Sequence, residues 1–500
     1  MRKWISVLAL FLIVGRVTAQ DDGWVRTFGG PRAQNSLQFH LRSDGVSVVF
    51  GQENPEAGIF FKSIKWYRIA ANGDLLSEVD LYGFGNTLCR DMLALSDDRF
   101  WVVGGSARGT ETDYRPFLLE VNSYGERQWQ RMYEYLGTGT DSAYNPLGEV
   151  SDIDRMPDGD VLLSGFGIRR IPPVRWLNLM RVDDKGNIKW HRIDSSQQIN
   201  NLIRSAVDGN GNIYTTTWGR VELASPPVTF LTKRNANGEV LWRKQLVDRS
   251  EEMLIWDIIV NDRAEAILVG EVPEGQSGQL ALLLRIDSAG DVRQFERIQV
   301  DNWPFSRVLS VVQAADGGYV LGGDVEGIPT NGAPPIDAWI RKLHPGFGRE
   351  WERVFAIGPG TTDMIISTKL SESGEVLACG SSLDWSDLNK GADCLLLRLG
   401  ANGDLAANEC AREVSKTILF PNPAHESTFL QISDAEPCIW DSDKYSVQLY
   451  DLLGREIVVP QVVVSGKLRL DLARVQMGGY VVQIARDGEV IDHLKLVKSR

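Results

Sequence analysis

Along most of the chain, short runs of alternating apolar and polar residues are broken by Gly, Asn and Asp at brief intervals. That period-two pattern predicts strands joined by tight turns. One motif, a strand followed by a turn that closes on glycine, recurs seven times. Its copies are Tyr67–Gly73, Leu118–Gly125, Leu179–Gly186, Leu231–Gly238, Leu283–Gly290, Ile340–Gly348 and Leu396–Gly403. The closing glycines are 52, 61, 52, 52, 58 and 55 residues apart. Asn-Gly and Asp-Gly suit turn positions with positive φ, so each copy is a hairpin. A second series runs in step as Ser43–Gly51, Asp97–Gly104, Pro157–Gly165, Asp208–Tyr214, Asp262–Gly270, Asp316–Gly322 and Ser373–Gly380. Each repeat therefore holds four strands, A to D from the inside outwards. A period near 50 with four strands predicts a propeller blade.

The phase predicts how the ring closes. Strand D carries Trp129, Trp190, Trp242 and Trp351, with Phe295 in the fifth copy, while the seventh copy lacks this aromatic residue. A matching fragment, Trp24–Gly30, stands alone near the start, so residues 24–28 are expected to supply the missing strand and cover an open sheet edge. An open solenoid is the alternative and would need polar caps. The expected fold is all-β: a seven-bladed β-propeller over residues 20–410, then a small C-terminal β-sandwich over residues 415–500.

The repeat stops near residue 415. There follow Leu419-Phe-Pro-Asn-Pro-Ala424, Tyr445–Arg455, Leu468–Leu472, Gly478–Ile484 and the basic end Leu494–Arg500, which alternate as sandwich strands do. In this order the segments resemble the type A C-terminal sorting domain of the bacterial type IX secretion system. The resemblance implies export through the periplasm, delivery by the type IX machinery across the outer membrane, removal of the domain, and cargo that is released or surface-anchored. A generic accessory sandwich is the plainer alternative. Asp434–Asp443, with Cys438, departs from the pattern and reads as a longer loop.

Residues 1–19 read as a signal peptide, with Arg2 and Lys3, an apolar stretch to Gly15, and Val17-Thr18-Ala19 before the cut. About a dozen apolar residues are too few to span ~30 Å of hydrocarbon. Cleavage takes the net charge from -13 to -16 by removing Arg2, Lys3 and Arg16. That balance argues against binding a phosphate backbone. The cysteines are Cys89, Cys379, Cys394, Cys410 and Cys438, and their odd number leaves at least one unpaired. Cys379 and Cys394 lie on neighbouring strands, as a bridge or as buried thiols.

No nucleophile elbow, metalloprotease motif or phosphate loop is present, and no cofactor or metal is implied. Asp208, Asn210 and Asn212 have calcium-loop spacing without the twelfth-position Glu, so they read as a polar turn. Asp152, Asp154, Asp158 and Asp160 read as solvated residues around a turn, and the A strands show no repeated acidic set. The long B–C and D–A connections share one face, which is the expected binding surface. Its candidates are Tyr114, Arg115, Tyr144, Arg169, Arg170, Trp176, Arg220 and Trp385, whose rings and guanidiniums suit a glycan, a peptide or a surface protein. The expected function is binding or adhesion. The alternative is a secreted glycosidase or polysaccharide lyase with its site on the propeller axis.

Overall fold

The structure is a computed structural model. It describes residues 23–29, 34–53, 63–81, 86–107, 114–133, 147–169, 174–195, 198–220, 227–246, 253–274, 278–327, 336–357, 361–384, 392–405, 417–420, 422–425, 427–432, 445–451, 454–464, 467–486 and 489–499. The signal-peptide reading, Cys410, Cys438 and the Asp434–Asp443 loop lie outside them. Every regular element among the described residues is a strand.

The repeats form seven four-stranded antiparallel blades of a β-propeller. Blades 6 and 7 are joined by one parallel bridge between Ile336 and Thr362. The outer strand of blade 7 is Trp24–Phe28, which pairs antiparallel with Ala392–Leu399 from Trp24↔Arg398 to Phe28↔Cys394. The chain's first described strand therefore completes its last blade.

A shared turn geometry builds the hairpins. In the first C–D turn the amide of Ala70 donates to Asp74 O and that of Gly73 donates to Ala70 O; the same pair of bonds recurs from Asn122, Asp183, Asn235, Asp287, His344 and Gly400. One residue per turn has positive φ, and it is glycine in six copies. The sixth turn differs from the sequence reading: its positive-φ residue is Phe347 (φ 68), not a glycine.

These glycines also seat the neighbouring blade. The Trp24 indole donates to Ala71 O at 2.9 Å, Trp190 to Ala236 O at 3.2 Å, Trp242 to Ser288 O at 3.0 Å and Trp351 to Ala401 O at 3.2 Å. These four outer tryptophans thus lock onto the C–D turn of the next blade, and the Trp129 ring packs against Gly186 of the turn it faces. In blade 1, which has no outer tryptophan, Trp66 of the next strand inwards donates to Ser123 O at 3.2 Å. A Cβ added at Gly73 would sit 2.9 Å from the Trp24 ring, and one at Gly403 would sit 2.7 Å from Trp351. Blade 5 carries Phe295 instead of tryptophan. There the next turn has Phe347, stacked on Tyr319 with ring centroids 5.0 Å apart. The smaller ring and the missing glycine occur at the same junction.

Residues 417–499 form two further four-stranded sheets packed over a core that includes Leu430, Leu449, Leu470, Val482, Ile484 and Leu496. The final strand, Glu489–Lys498, is held by the Asn-Pro-Ala segment. Asn422 Nδ2 donates to Lys495 O at 2.6 Å, and Val497 N donates to Asn422 Oδ1 at 2.9 Å. Buried Ala424 exchanges main-chain bonds with Val497 and Ser499.

Cys89, Cys379 and Cys394 are buried thiols. Cys379 pairs with Leu396 and Cys394 with Ser381, a diagonal placement that keeps the two sulfurs out of a disulfide. Burial pushes the Cys394 thiol up to about 12.

Candidate functional site: the central channel

The inner strands surround a channel of about 1030 Å³. In six blades the inner strand carries a one-residue bulge at the same place, between Ser36/Gln38, Cys89/Asp91, Val150/Asp152, Ile255/Asp257, Val308/Ser310 and Ile365/Ser367. Opposite stands glycine: Gly51, Gly104, Gly165, Gly270, Gly323 or Gly380. The bulged strand presses a carbonyl oxygen against it. A Cβ at Gly104, Gly165, Gly270, Gly323 or Gly380 would lie between 1.8 and 2.0 Å from such an oxygen. The glycine that ends five of the second-series motifs, and Gly323 just after the end of the sixth, is therefore a consequence of the inner bulge.

The residue after the bulge is Gln38, Asp91, Asp152, Asp257, Ser310 or Ser367; in blade 4 the matching residue is Arg204. Most of these side chains reach the next blade. Asp91 Oδ2 accepts from Ile153 N at 3.2 Å, Asp152 Oδ2 from Ser205 N at 2.6 Å, and Asp257 Oδ2 from Val311 N at 2.8 Å. Ser310 Oγ accepts from Thr368 N at 2.9 Å, and Ser367 Oγ donates to Gln38 Oε1 at 2.7 Å, across the closing junction. A belt of inter-blade hydrogen bonds thus lines the channel.

Three carboxyls gather in this belt. Ser205 Oγ donates to Asp154 Oδ2 at 2.5 Å and lies 3.4 Å from Asp152 Oδ2, while Ile153 N lies 3.2 Å from both Asp91 Oδ2 and Asp152 Oδ1. Burial, then the Asp152 charge, holds Asp91 and Asp154 well above the usual carboxylate range. Burial pushes Asp257 up to about 6.

This corrects the reading of the acidic residues. Asp152 and Asp154 lie on an inner strand and line the channel, and a repeated acidic set exists in Asp91, Asp152 and Asp257. Asp160 is buried between Arg181 and Lys189, and only Asp158 is exposed. The signal was present in the sequence. Counting four residues back from each A–B turn gives Gln38, Asp91, Asp152, Arg204, Asp257, Ser310 and Ser367. The bulge puts two inner residues opposite one, so simple alternation loses this column.

Of the expected face residues, Tyr114, Arg115, Trp176 and Arg220 lie near the loop ends of their strands, and none lines the channel. Arg115 and Arg220 are exposed; Tyr114 and Trp176 are half-buried. The Trp176 indole packs across Gly167. Arg169 ends the strand Val161–Arg169, but its side chain is outside the description, as are Tyr144, Arg170 and Trp385. The neighbours Arg175 and Trp218 line the channel and had not been singled out. Asp208 is a turn residue: its Oδ1 accepts from the amides of Asn210 and Asn212 at 2.9 and 2.8 Å.

Residues 418–499 match the family model described as the secretion system C-terminal sorting domain. This segment is a type IX sorting domain. It addresses the chain for export, to secretion or to the cell surface, and implies the type IX machinery as its partner. No helix among the described residues is long and apolar enough to cross a membrane. No curated protein matches the chain in sequence. Among solved structures, the chain resembles a family 25 polysaccharide lyase (ulvan lyase) bound to a glucuronate–sulfated rhamnose unit, at 10% identity and TM-score 0.45, over 74% of this chain and 95% of that one. The polysaccharide lyase Uly1 gives 8% and 0.41 over 73% and 89%. The propeller domain of the trilobed protease from Pyrococcus furiosus gives 10% and 0.42 over 76% and 98%. Scores this low carry no function across to the sorting domain's cargo.

Proposed function

We propose that the chain is an exported propeller that binds a glycan, a peptide or a surface protein at the loop-bearing mouth of its channel, with Tyr114, Arg115, Trp176 and Arg220 on the rim. The propeller, taken as residues 20–410, is the cargo, and residues 415–500 are its removable address. One observation carries the preference for binding over catalysis. The inner acidic residues that catalysis would need are engaged as inter-blade staples, with Asp91, Asp152 and Asp257 each accepting a main-chain amide of the following blade.

A second reading, a glycosidase or polysaccharide lyase, has its own observation. Asp152 and Asp154 meet at the Ser205 hydroxyl with Asp91 beside them at the Ile153 amide, and burial holds Asp91 and Asp154 well above the usual carboxylate range, as a general acid requires. Incubating the exported protein with glycan and peptide arrays, and weighing each retained ligand by mass spectrometry, separates the two. Ligands recovered intact are the expected outcome. Cleaved ligands would make the acidic belt an active site.

A further inference from the structure

Blade 3 carries a buried amide where other blades carry core. Asn178 pairs with Gly165, and the matching position is Phe117, Phe230, Leu282, Trp339 or Leu395 in five other blades. Asn178 has no exposed surface. Such a side chain costs stability unless its polar atoms are bonded.

Three groups meet it. The Gly167 amide lies 2.8 Å and the Trp176 indole nitrogen 3.1 Å from one end of the side-chain amide, and His191 Nε2 lies 2.8 Å from the other end. The Gly167 and Trp176 groups donate and cannot accept, so the Asn178 oxygen faces them and its NH2 points at His191. His191 Nε2 must then accept, which requires the neutral ring with its proton on Nδ1. The fit is close. A Cβ added at Gly167 would lie 2.6 Å from the Asn178 amide and 2.6 Å from Trp176 Nε1.

A proton on His191 reverses the arrangement. The imidazolium has N–H on both nitrogens and accepts nothing. It draws the Asn178 oxygen towards itself, and the Asn178 NH2 then faces two other donors, the Trp176 indole and the Gly167 amide. The indole loses its anchor. We propose that His191 is a pH-sensitive positioning residue, which through Asn178 holds the Trp176 indole in place at neutral pH and releases it in acid. Trp176 stands on the rim assigned above to the ligand, so the consequence for binding rests on that reading, while the hold on the indole does not.

The surroundings favour the neutral ring at rest. Burial, and then the Arg192 charge beside it, hold His191 below the ordinary imidazole range. On Val174–Val182 the residue directly across is Met180, and the charged Arg175 and Arg181 alternate to the other face. On the ring's own strand, Lys189 pairs with Asp160, and Asp194 with Arg234 and Arg243. From blade 2, Arg99, Arg131 and Tyr133 reach this blade and bond the carbonyls of Asp184, Lys185 and Gly186.

The test follows the indole N–H resonance of Trp176 in the full exported chain with isotope-labelled tryptophan, the resonance being identified by its loss in Trp176→Phe. Between about pH 8 and about pH 5 it is expected to move in one single-proton step, with a midpoint below about 6.5, the ordinary imidazole value. His191→Gln offers an acceptor oxygen at every pH and should keep the neutral position throughout. The buried carboxyls that titrate in the same range remain in that variant, so a step that survives in it would overturn the proposal. His191→Lys donates at every pH and should show the acid position already at about pH 8, a readout that needs no acid. An unmoved resonance in His191→Lys would equally overturn the proposal. The arrays judge the binding reading separately: if no ligand is retained, that reading falls and the indole resonance still decides the role of His191.

Discussion

At Gly165 a methyl group would meet the Glu149 carbonyl oxygen at 2.0 Å, a backbone atom that cannot step aside. Gly165→Ala is therefore expected to destabilise the propeller by about 1–3 kcal/mol, read as a fall in the thermal midpoint. Gly209→Ala, where nothing lies within 4 Å, is expected to be neutral or slightly stabilising. The staple residues give a second test. Asp152→Ala strands the Ser205 amide and is expected to cost about 1–3 kcal/mol. Asp257 supplies a pH dependence. Its carboxyl is pushed up to about 6 by burial, so between the ordinary carboxylate range and pH 6 the folded chain keeps a proton that the unfolded chain releases. Its contribution to stability is thus greatest at low pH and falls as pH rises through that window. The difference in melting temperature between the natural chain and Asp257→Asn should therefore decline from pH 4 to pH 6. A flat difference would mean that Asp257 ionises like a solvated carboxylate.

Elements are joined here by a few specific contacts. Trp24–Phe28 contributes a five-residue ladder to blade 7 and buries Trp24 and Val25. Trp24 also reaches the Ala71 carbonyl of blade 1. Deleting this strand is expected to cost roughly 4 kcal/mol or more, whereas Trp24→Phe, which loses the indole bond, should cost about 1 kcal/mol. Chemical denaturation distinguishes the two. In the sorting domain the Asn422 side chain pairs with the final strand in place of a neighbouring backbone. Asn422→Ala should lower that domain's stability by about 1–2 kcal/mol and reduce delivery to the cell surface. Undiminished delivery would separate the clasp from recognition.

For the whole molecule, removing residues 415–500 should leave the propeller in the periplasm, detected by fractionation. Normal surface delivery would deny those residues their role as an address. Much of the molecule was legible in the chain, because the signals involved are local. A strand announces itself by alternation, a turn by its glycine, and seven copies of both in register specify a blade. The order of sorting motifs from Leu419 to Arg500 was equally local. The channel was less legible. Asp152 and Asp154 read as turn residues because a bulge shifts which side chains face inwards, and a bulge leaves no mark on an apolar–polar pattern beyond a glycine on the partner strand. Arg175 went unnoticed beside Trp176 because neighbours in sequence point to opposite faces, and which face meets the axis depends on how blades pack. The sequence by itself determined the strands, turns, blade number and export address, each encoded within a few dozen residues. Only the tertiary structure decided which side chains from blades 50 residues apart share the channel, since ring closure, not any local preference, brings them together.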